Sequence, residues 1–318
     1  MPAKKIILPG GSGFLGHALS SFLLTHDYTP IILTRGPSQP ATPTSPQQIH
    51  WDATTTSGDW PDSLNNAHAV INLVGRTVNC RKTPANKKEI LDSRILSTRA
   101  LAEAWQRATN PPKIWLQTST AHIYGDTHDE ILDESSPTGT GFAPEVGTAW
   151  EKSFTDADLQ DTRRVILRVS FVMGIGDNSA LRTLSRITRL FLGGHTGSGR
   201  QWMSWLHIAD YCQIILRALR GGDPTMQGIY VVTAPNPLTN KEFMKQLRHT
   251  LHRPWSPPIP KPLVHIGALL MRTDPELALF GRRCVPRRLL NEGYNFQFPT
   301  LPEALHDLLR AQSIPARD

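Results

Sequence analysis

Cysteine is scarce: Cys80, Cys212 and Cys284 are the only three in 318 residues, far apart and odd in number. This rules out a disulfide framework and the close spacing of a zinc site, so no metal is expected and a reducing, cytoplasmic setting is the default. Long apolar runs are missing too, and the first residues show no signal-peptide pattern, so no membrane partner is expected. Aromatics make up only 7% and charged residues 19%, against 39% hydrophobic, which is the balance of an ordinary folded protein. What excess there is has one sign. The net charge of +7 suits attraction to an anion such as a dinucleotide or a phosphorylated substrate. A nucleic-acid face would need clustered bases with interleaved aromatics. Arg282-Arg283 with Arg287-Arg288 comes nearest, and no nucleic-acid partner is expected.

Glycine is present where it matters. Lys4-Lys5-Ile6-Ile7-Leu8-Pro9 reads as a short buried strand and runs into Gly10-Gly11-Ser12-Gly13-Phe14-Leu15-Gly16. Ala18, Leu19, Phe22 and Leu23 then recur at helical spacing. In a strand–turn–helix of this kind, Gly10 permits the tight turn and Gly13 lets the backbone approach a pyrophosphate. Gly16 allows helix and strand to pack closely. The free N–H groups and positive dipole end of the helix would face the phosphates.

Apolar segments at residues 30–35, 49–52, 69–75, 113–119 and 165–169 read as further strands, with helices at residues 86–107 and near 146–159. Strands alternating with helices, with little period-2 patterning, imply a parallel sheet covered on both faces. The expected fold is α/β: a Rossmann-type doubly wound parallel sheet over residues 1–170, with a returning segment near 203–233. Residues 171–318 are expected to form a smaller C-terminal α/β lid for the substrate. Ligands on such sheets bind beyond the carboxyl ends of the strands. Arg35, Asp52, Leu73-Val74-Gly75 and Thr118-Ser119 all fall at such ends. The helix at 86–107 serves either the core or a two-fold contact, so a monomer and a homodimer are both open.

One further absence selects the nucleotide. A carboxylate about twenty residues beyond the glycines would hold the ribose 2′-hydroxyl of NAD. Here that slot reads Thr34-Arg35, and Asp27 precedes the strand. An arginine can meet a 2′-phosphate with charge-assisted bonds, so NADP(H) is favoured; the alternative is that Arg35 is a solvated loop residue.

With these motifs in place, the chain resembles the extended short-chain dehydrogenase/reductases. The carriers are residues 10–16, then Thr118-Ser119-Thr120-Ala121-His122-Ile123-Tyr124-Gly125, Arg168 and His207-Ile208-Ala209-Asp210. More closely it is similar to their atypical epimerase-family, cell-division-inhibitor-like branch. Asn72-Leu73-Val74-Gly75, residues 87–95, Trp150-Glu151, residues 197–207 and the tail with Gly293-Tyr294-Asn295-Phe296 carry that likeness. Pro9 and Gly267-Ala268 depart from it. The resemblance implies cofactor contacts from Gly10, Ser12, Gly13, Phe14, Leu15, Gly16, Arg35, Asp52, Leu73, Val74, Gly75, Arg94 and Thr118, with Asp52 meeting the adenine amino group.

The larger family works by a tyrosine and a lysine four residues apart. Four residues beyond Tyr28, Tyr124, Tyr211, Tyr230 and Tyr294 stand Ile32, His128, Ile215, Ala234 and Phe298, none of them lysine. The reaction therefore has to be sought among other groups. Thr120 matches the family's hydroxyl position, with capping of nearby backbone as the alternative, and Ser119 is equally placed. Tyr124 and His207 are candidates, each with a structural role as the alternative. Glu151 is either a replacement acid/base or a surface charge. Arg94 would bind ribose or an anionic substrate, or make a helix–helix ion pair. Two functions follow: hydride transfer with a small carbonyl or sugar-like substrate, or non-catalytic NADP(H)-binding regulation, for instance of cell division.

Overall fold

The computed structural model describes residues 3–42, 44–177, 179–222 and 225–310. Strands β1 (Lys4–Pro9), β2 (Tyr28–Thr34), β3 (Gln47–His50), β4 (Ala69–Asn72) and β5 (Ile114–Thr120) begin one parallel sheet. After β6 (Ile131–Leu132), which lies outside it, β7 (Arg163–Val169) joins. Three short strands intervene, β8 (Phe171–Met173), β9 (Trp202–Met203) and β10 (Trp205–His207), before β11 (Gly228–Val232) completes the sheet. Its order is β11-β7-β5-β4-β1-β2-β3, with every neighbouring pair parallel. The chain reverses direction across the sheet between β1 and β4. A crevice opens there at the carboxyl ends, where such sheets take ligands.

Both faces are covered, as near-continuous apolar strands require. One core joins Leu19 and Leu23 of α1 (Phe14–Leu24) to Leu116 and Leu167 on the strands. The other collects Trp51 just after β3, Trp60 from a single turn before β4, Trp105 of α2 (Pro84–Arg107), Trp115 of β5 and Phe154 of α3 (Phe142–Thr155). Trp105 and Trp115 stack at 5.1 Å. Each such buried side chain contributes on the order of 2 kcal/mol.

Element ends differ from the sequence reading for local reasons. Helix α2 starts two residues early because Thr83 caps it by accepting from the Asn86 N–H, with Pro84 at its first position. The expected helix at 146–159 is shifted four residues back, opening after Gly141. β4 stops at Asn72, whose side-chain oxygen accepts from the Val74 N–H and turns the chain out of the sheet.

After α4 (Ala180–Arg189), helix α5 (Ile208–Arg220) returns to the α1 face of the sheet. β12 (Leu238–Thr239) pairs with β9 and leads into α6 (Asn240–Thr250), opened by a capping box between Thr239 and Glu242. The tail is made of short elements. These are α7 (Lys261–Leu270), α8 (Glu276–Leu279), β13 (Arg283–Cys284), α9 (Arg287–Asn291) and α10 (Leu301–Arg310). Trp205, Phe243, Leu301 and Leu305 form a separate core for this half. No helix among the described residues is long and apolar enough to cross a membrane.

Candidate nucleotide and substrate site

The turn after β1 is built to exclude side chains. Gly10 has φ +75°, and a Cβ there would come within 3.0 Å of the Leu73–Val74 backbone. At Gly16 a Cβ would lie 2.3 Å from the Gly11 carbonyl oxygen, so only glycine lets α1 cross the turn. Gly13 is different. It is exposed, caps α1 without a side-chain hydrogen bond, and a Cβ would meet only the Gly10 carbonyl at 3.6 Å. Its bareness serves nothing in the protein's own packing, and the space above it is open. The first N–H groups of α1, from Phe14 to Gly16, lack intrahelical acceptors and face that space. Phe14 packs beneath the loop after β8, where a Cβ on Gly174 would come 2.7 Å from its ring. The chain present thus fits a dinucleotide pyrophosphate.

At the tip of β2 the Thr34 hydroxyl donates to Ser12 Oγ at 3.5 Å, and Arg35 beyond it is exposed. At the tip of β3, Asp52 turns its carboxylate onto its own loop, accepting from the Thr54 and Thr55 N–H groups and the Thr55 hydroxyl. Partial burial raises its pKa, but these bonds outweigh that and hold it at about 2. Three of its roughly four lone-pair directions are occupied, leaving one for a further donor. Leu73, Val74 and Gly75 follow β4 along the floor of the crevice, Leu73 tied by its N–H to the Pro9 carbonyl.

Arg94 leans from α2 onto Gly75. A Cβ at Gly75 would come 2.9 Å from its Nη2, so this glycine makes room for the guanidinium. Arg94 makes no helix–helix ion pair among the described residues. Its Nη1 donates to the Ile90 and Arg76 carbonyls, and its charge rests 5.0 Å over the Trp150 ring. Burial lowers its pKa to about 10.

Four candidates are bonded to the protein's own groups. Ser119 is buried and donates to Glu151 at 2.5 Å. Glu151, buried rather than on the surface, holds Arg168 in a two-bond ion pair at 2.9 and 2.8 Å. Tyr124 donates to the Asp133 carbonyl at 2.7 Å and accepts from Arg168 at 3.0 Å. Burial pushes its phenol well above the ordinary value. His207 caps α5, its Nδ1 accepting from the Ala209 N–H, while its ring stacks 3.8 Å from Phe298 and its Nε2 faces Asp307 at 3.2 Å. Burial lowers its pKa to about 4. The Thr118 hydroxyl is likewise buried, facing Tyr211 of α5 instead of the crevice.

That leaves Thr120 at the end of β5. Its Oγ1 accepts from the His122 N–H at 3.1 Å, so the capping role holds, while its own hydrogen stays free to donate. His122, in the single turn Ala121–Tyr124, is a residue that sequence reasoning passed over. Burial, and then the charges of Arg282, Lys82 and Arg94, push its pKa well down, leaving a neutral ring. Arg282 comes from the C-terminal half and donates through Nε to the Gly125 carbonyl at 3.2 Å. Its position in space had no local signal, being 157 residues from Gly125 in the chain. The other tail arginines form no open basic face: Arg287 pairs with Asp133 at 2.6 Å and Arg288 lies 3.9 Å over Tyr230.

Comparison with known proteins agrees with this architecture. The NAD dependent epimerase/dehydratase family matches residues 6–232. The chain belongs to that family. Residues 259–308 match a second description, a domain of unknown function, DUF1731. Among relatives, the bovine epimerase family protein SDR39U1 is 34% identical over 96% of this chain and 99% of its own length. The human epimerase family protein SDR39U1, solved with NADPH, superposes with a TM-score of 0.83 at 30% identity, covering 96% of this chain and 99% of that one. A nucleoside-diphosphate sugar epimerase from Corynebacterium glutamicum gives 0.76 at 27% identity, covering 96% of this chain and 58% of that one. This is the atypical epimerase-family branch of the short-chain dehydrogenase/reductases, with its C-terminal segment. Within it, this member has no Tyr–Lys pair on α3; the space above β5 holds the Ser119–Glu151–Arg168–Tyr124 network instead.

Proposed function

We propose that the protein is an NADP(H)-dependent oxidoreductase or epimerase-like enzyme, moving hydride to or from a small carbonyl or sugar-like substrate. The observation that carries the reading is Arg35. It stands exposed just beyond the tip of β2, next in the chain to Thr34, whose hydroxyl meets Ser12, at the slot where an NAD-binding chain would place a carboxylate. Its guanidinium would grip the 2′-phosphate, and the α1 N-terminus the diphosphate. Asp52 would accept from the adenine amino group with its remaining lone pair. Leu73, Val74 and Gly75 would border the nicotinamide ribose, with Arg94 behind Gly75. NADPH, when bound, supplies the hydride. Thr120 would donate its hydroxyl hydrogen to the substrate oxygen and hold the carbonyl at the end of β5. The NADPH complex of the human relative supports the choice of nucleotide.

A second reading rests on the locked network above β5. With Tyr124 and Glu151 bound to Arg168, and Ser119 bound to Glu151, the chain keeps the nucleotide crevice but not the family's acid–base pair. That arrangement also suits a non-catalytic NADP(H)-binding regulator. Turnover separates the two. Incubation with NADPH and a panel of aldehydes, ketones and nucleotide sugars should show oxidation of the cofactor with at least one class. Tight binding without oxidation across the panel would favour the regulator.

Cofactor choice has its own test. Thermal shift should show NADPH raising the melting point more than NADH. Charge-assisted bonds to the 2′-phosphate are worth about 1.5–3 kcal/mol, roughly 10- to 100-fold in affinity. Arg35→Asp should close the gap, and equal shifts before mutation would remove the case for Arg35.

A further inference from the structure

Beside Thr120, the walls of the site carry more positive charge than the protein neutralises. Arg94 arrives from α2, His122 from the turn after β5, and Arg282 from the C-terminal half. They are fixed to one scaffold. His122 and Gly125 belong to a single turn, closed by the Gly125 N–H donating to the His122 carbonyl. Arg282 is anchored to the Gly125 carbonyl, and α3 packs Gly147 against Ile123 of that turn while Trp150 supports Arg94. The charges of Arg94, Arg282 and Lys82 all act on the His122 ring.

Their neutralisation is uneven. Lys82 has Asp274 at 3.4 Å. Neither Arg94 nor Arg282 has a carboxylate in ion-pair contact among the described residues. Asp126, which acts on Arg282 at longer range, accepts from the Gly281 N–H instead. Arg94 is bound only to two backbone carbonyls through Nη1, and no described residue accepts from its Nη2. Partly buried guanidinium groups held in place without counter-charge are costly unless an anion arrives. Here two of them act on His122, whose backbone N–H is bonded to the Thr120 hydroxyl oxygen.

We propose that Arg94 and Arg282, with His122 between them, receive an oxyanion carried by the substrate itself, a carboxylate or a phosphate ester close to the reacting carbonyl. The inference rests on the hydride-transfer reading and narrows its substrate class to small anionic carbonyl compounds. The bare Gly75 lets Arg94 reach the group from below, and Arg282 closes on it from the lid. The planar fork of each arginine matches either oxyanion.

The test uses the full-length protein saturated with NADPH, so that the 2′-phosphate site is already filled. Inorganic phosphate and oxalate are titrated by calorimetry at constant ionic strength, with sodium chloride and glycerol as controls. Saturable binding of phosphate or oxalate is expected, and which binds tighter tells a phosphate ester from a carboxylate. Arg282→Gln should weaken it at least tenfold while NADPH still binds, and Arg94→Gln should weaken it at least tenfold when NADPH is again held at saturation. If Arg94→Gln fails to fold, Arg282→Gln carries the comparison. Wild-type protein that holds NADPH but takes neither anion, or variants that bind anions as well as wild type, would overturn the inference. Failure to bind NADPH at all would instead strike the reading on which it rests.

Discussion

At the scale of single residues, the buried charges decide what the site is not. Arg168 and Glu151 are 5% and 8% exposed and satisfy one another. Removing one partner of such a pair strands the other in a low-dielectric core, at a cost of about 3–5 kcal/mol. Glu151→Gln should therefore lower stability by that order in chemical denaturation, with Ser119 losing its carboxylate partner and Arg168 its counter-charge. If Glu151 were instead an acid–base group, the variant would keep its stability and lose turnover. His207 makes a second claim. Its pKa is lowered from 6.5 to about 4, so the folded state binds fewer protons than the unfolded state between those values. Stability should rise with pH through that window and be lost as pH falls through it, by up to about 3 kcal/mol. His207→Asn keeps an acceptor for the Ala209 N–H but cannot titrate. Melting curves from pH 4.5 to 7 should be flatter for the variant, and an unchanged slope would show that His207 does not supply it. The sequence showed that Ser119, Tyr124, Glu151 and His207 carry chemistry-capable groups. It could not show that their partners, Arg168 and Asp307, lie in β7 and α10, because those contacts are tertiary.

At the scale of elements, the N-terminal strand–turn–helix was the most legible part of the chain. Its glycines do local work, and local sequence is where such work is written. Gly10 and Gly16 are needed by the fold itself, Gly13 by whatever occupies the crevice. Gly16→Ala should therefore cost both stability and nucleotide binding, since a methyl group 2.3 Å from a backbone oxygen forces α1 off the turn. β4 and β5 were legible too, from their apolar runs. The pair β6 and β13 was not. Each is two residues long, and Ile131 meets Arg283 from more than 150 positions away. No periodicity can appear in so short a segment. The same distance hid Arg282, which earned notice in the sequence only as a possible basic patch.

For the molecule as a whole, the C-terminal half is tied to the sheet tips by polar contacts across the crevice. Arg81 reaches the Leu269 carbonyl at 2.8 Å, Lys82 pairs with Asp274, and Trp202 Nε1 donates to Asp129 at 2.8 Å. Within that half, Asp210 of α5 accepts from the Gln297 and Phe298 N–H groups at 2.7 and 3.0 Å and holds the tail to the helix on the α1 face. Ligand bound between the halves should stabilise both together, by about 2.7 kcal/mol when held at 100 times its dissociation constant. The alternation of strands and helices foretold the doubly wound sheet, and the glycines foretold the crevice. The identity of the groups facing the substrate depends on how the tail folds back.

The most direct measurement compares NADPH binding to wild-type protein and to Gly13→Val by calorimetry, with melting points taken on the same samples. A valine side chain at this exposed position should leave the unliganded protein folded, within about 1–2 kcal/mol of wild type, while filling the space meant for the diphosphate. The prediction is one NADPH bound per wild-type chain and at least a hundredfold weaker binding by the variant. Equal affinity in the two proteins would contradict a pyrophosphate resting on the α1 N-terminus.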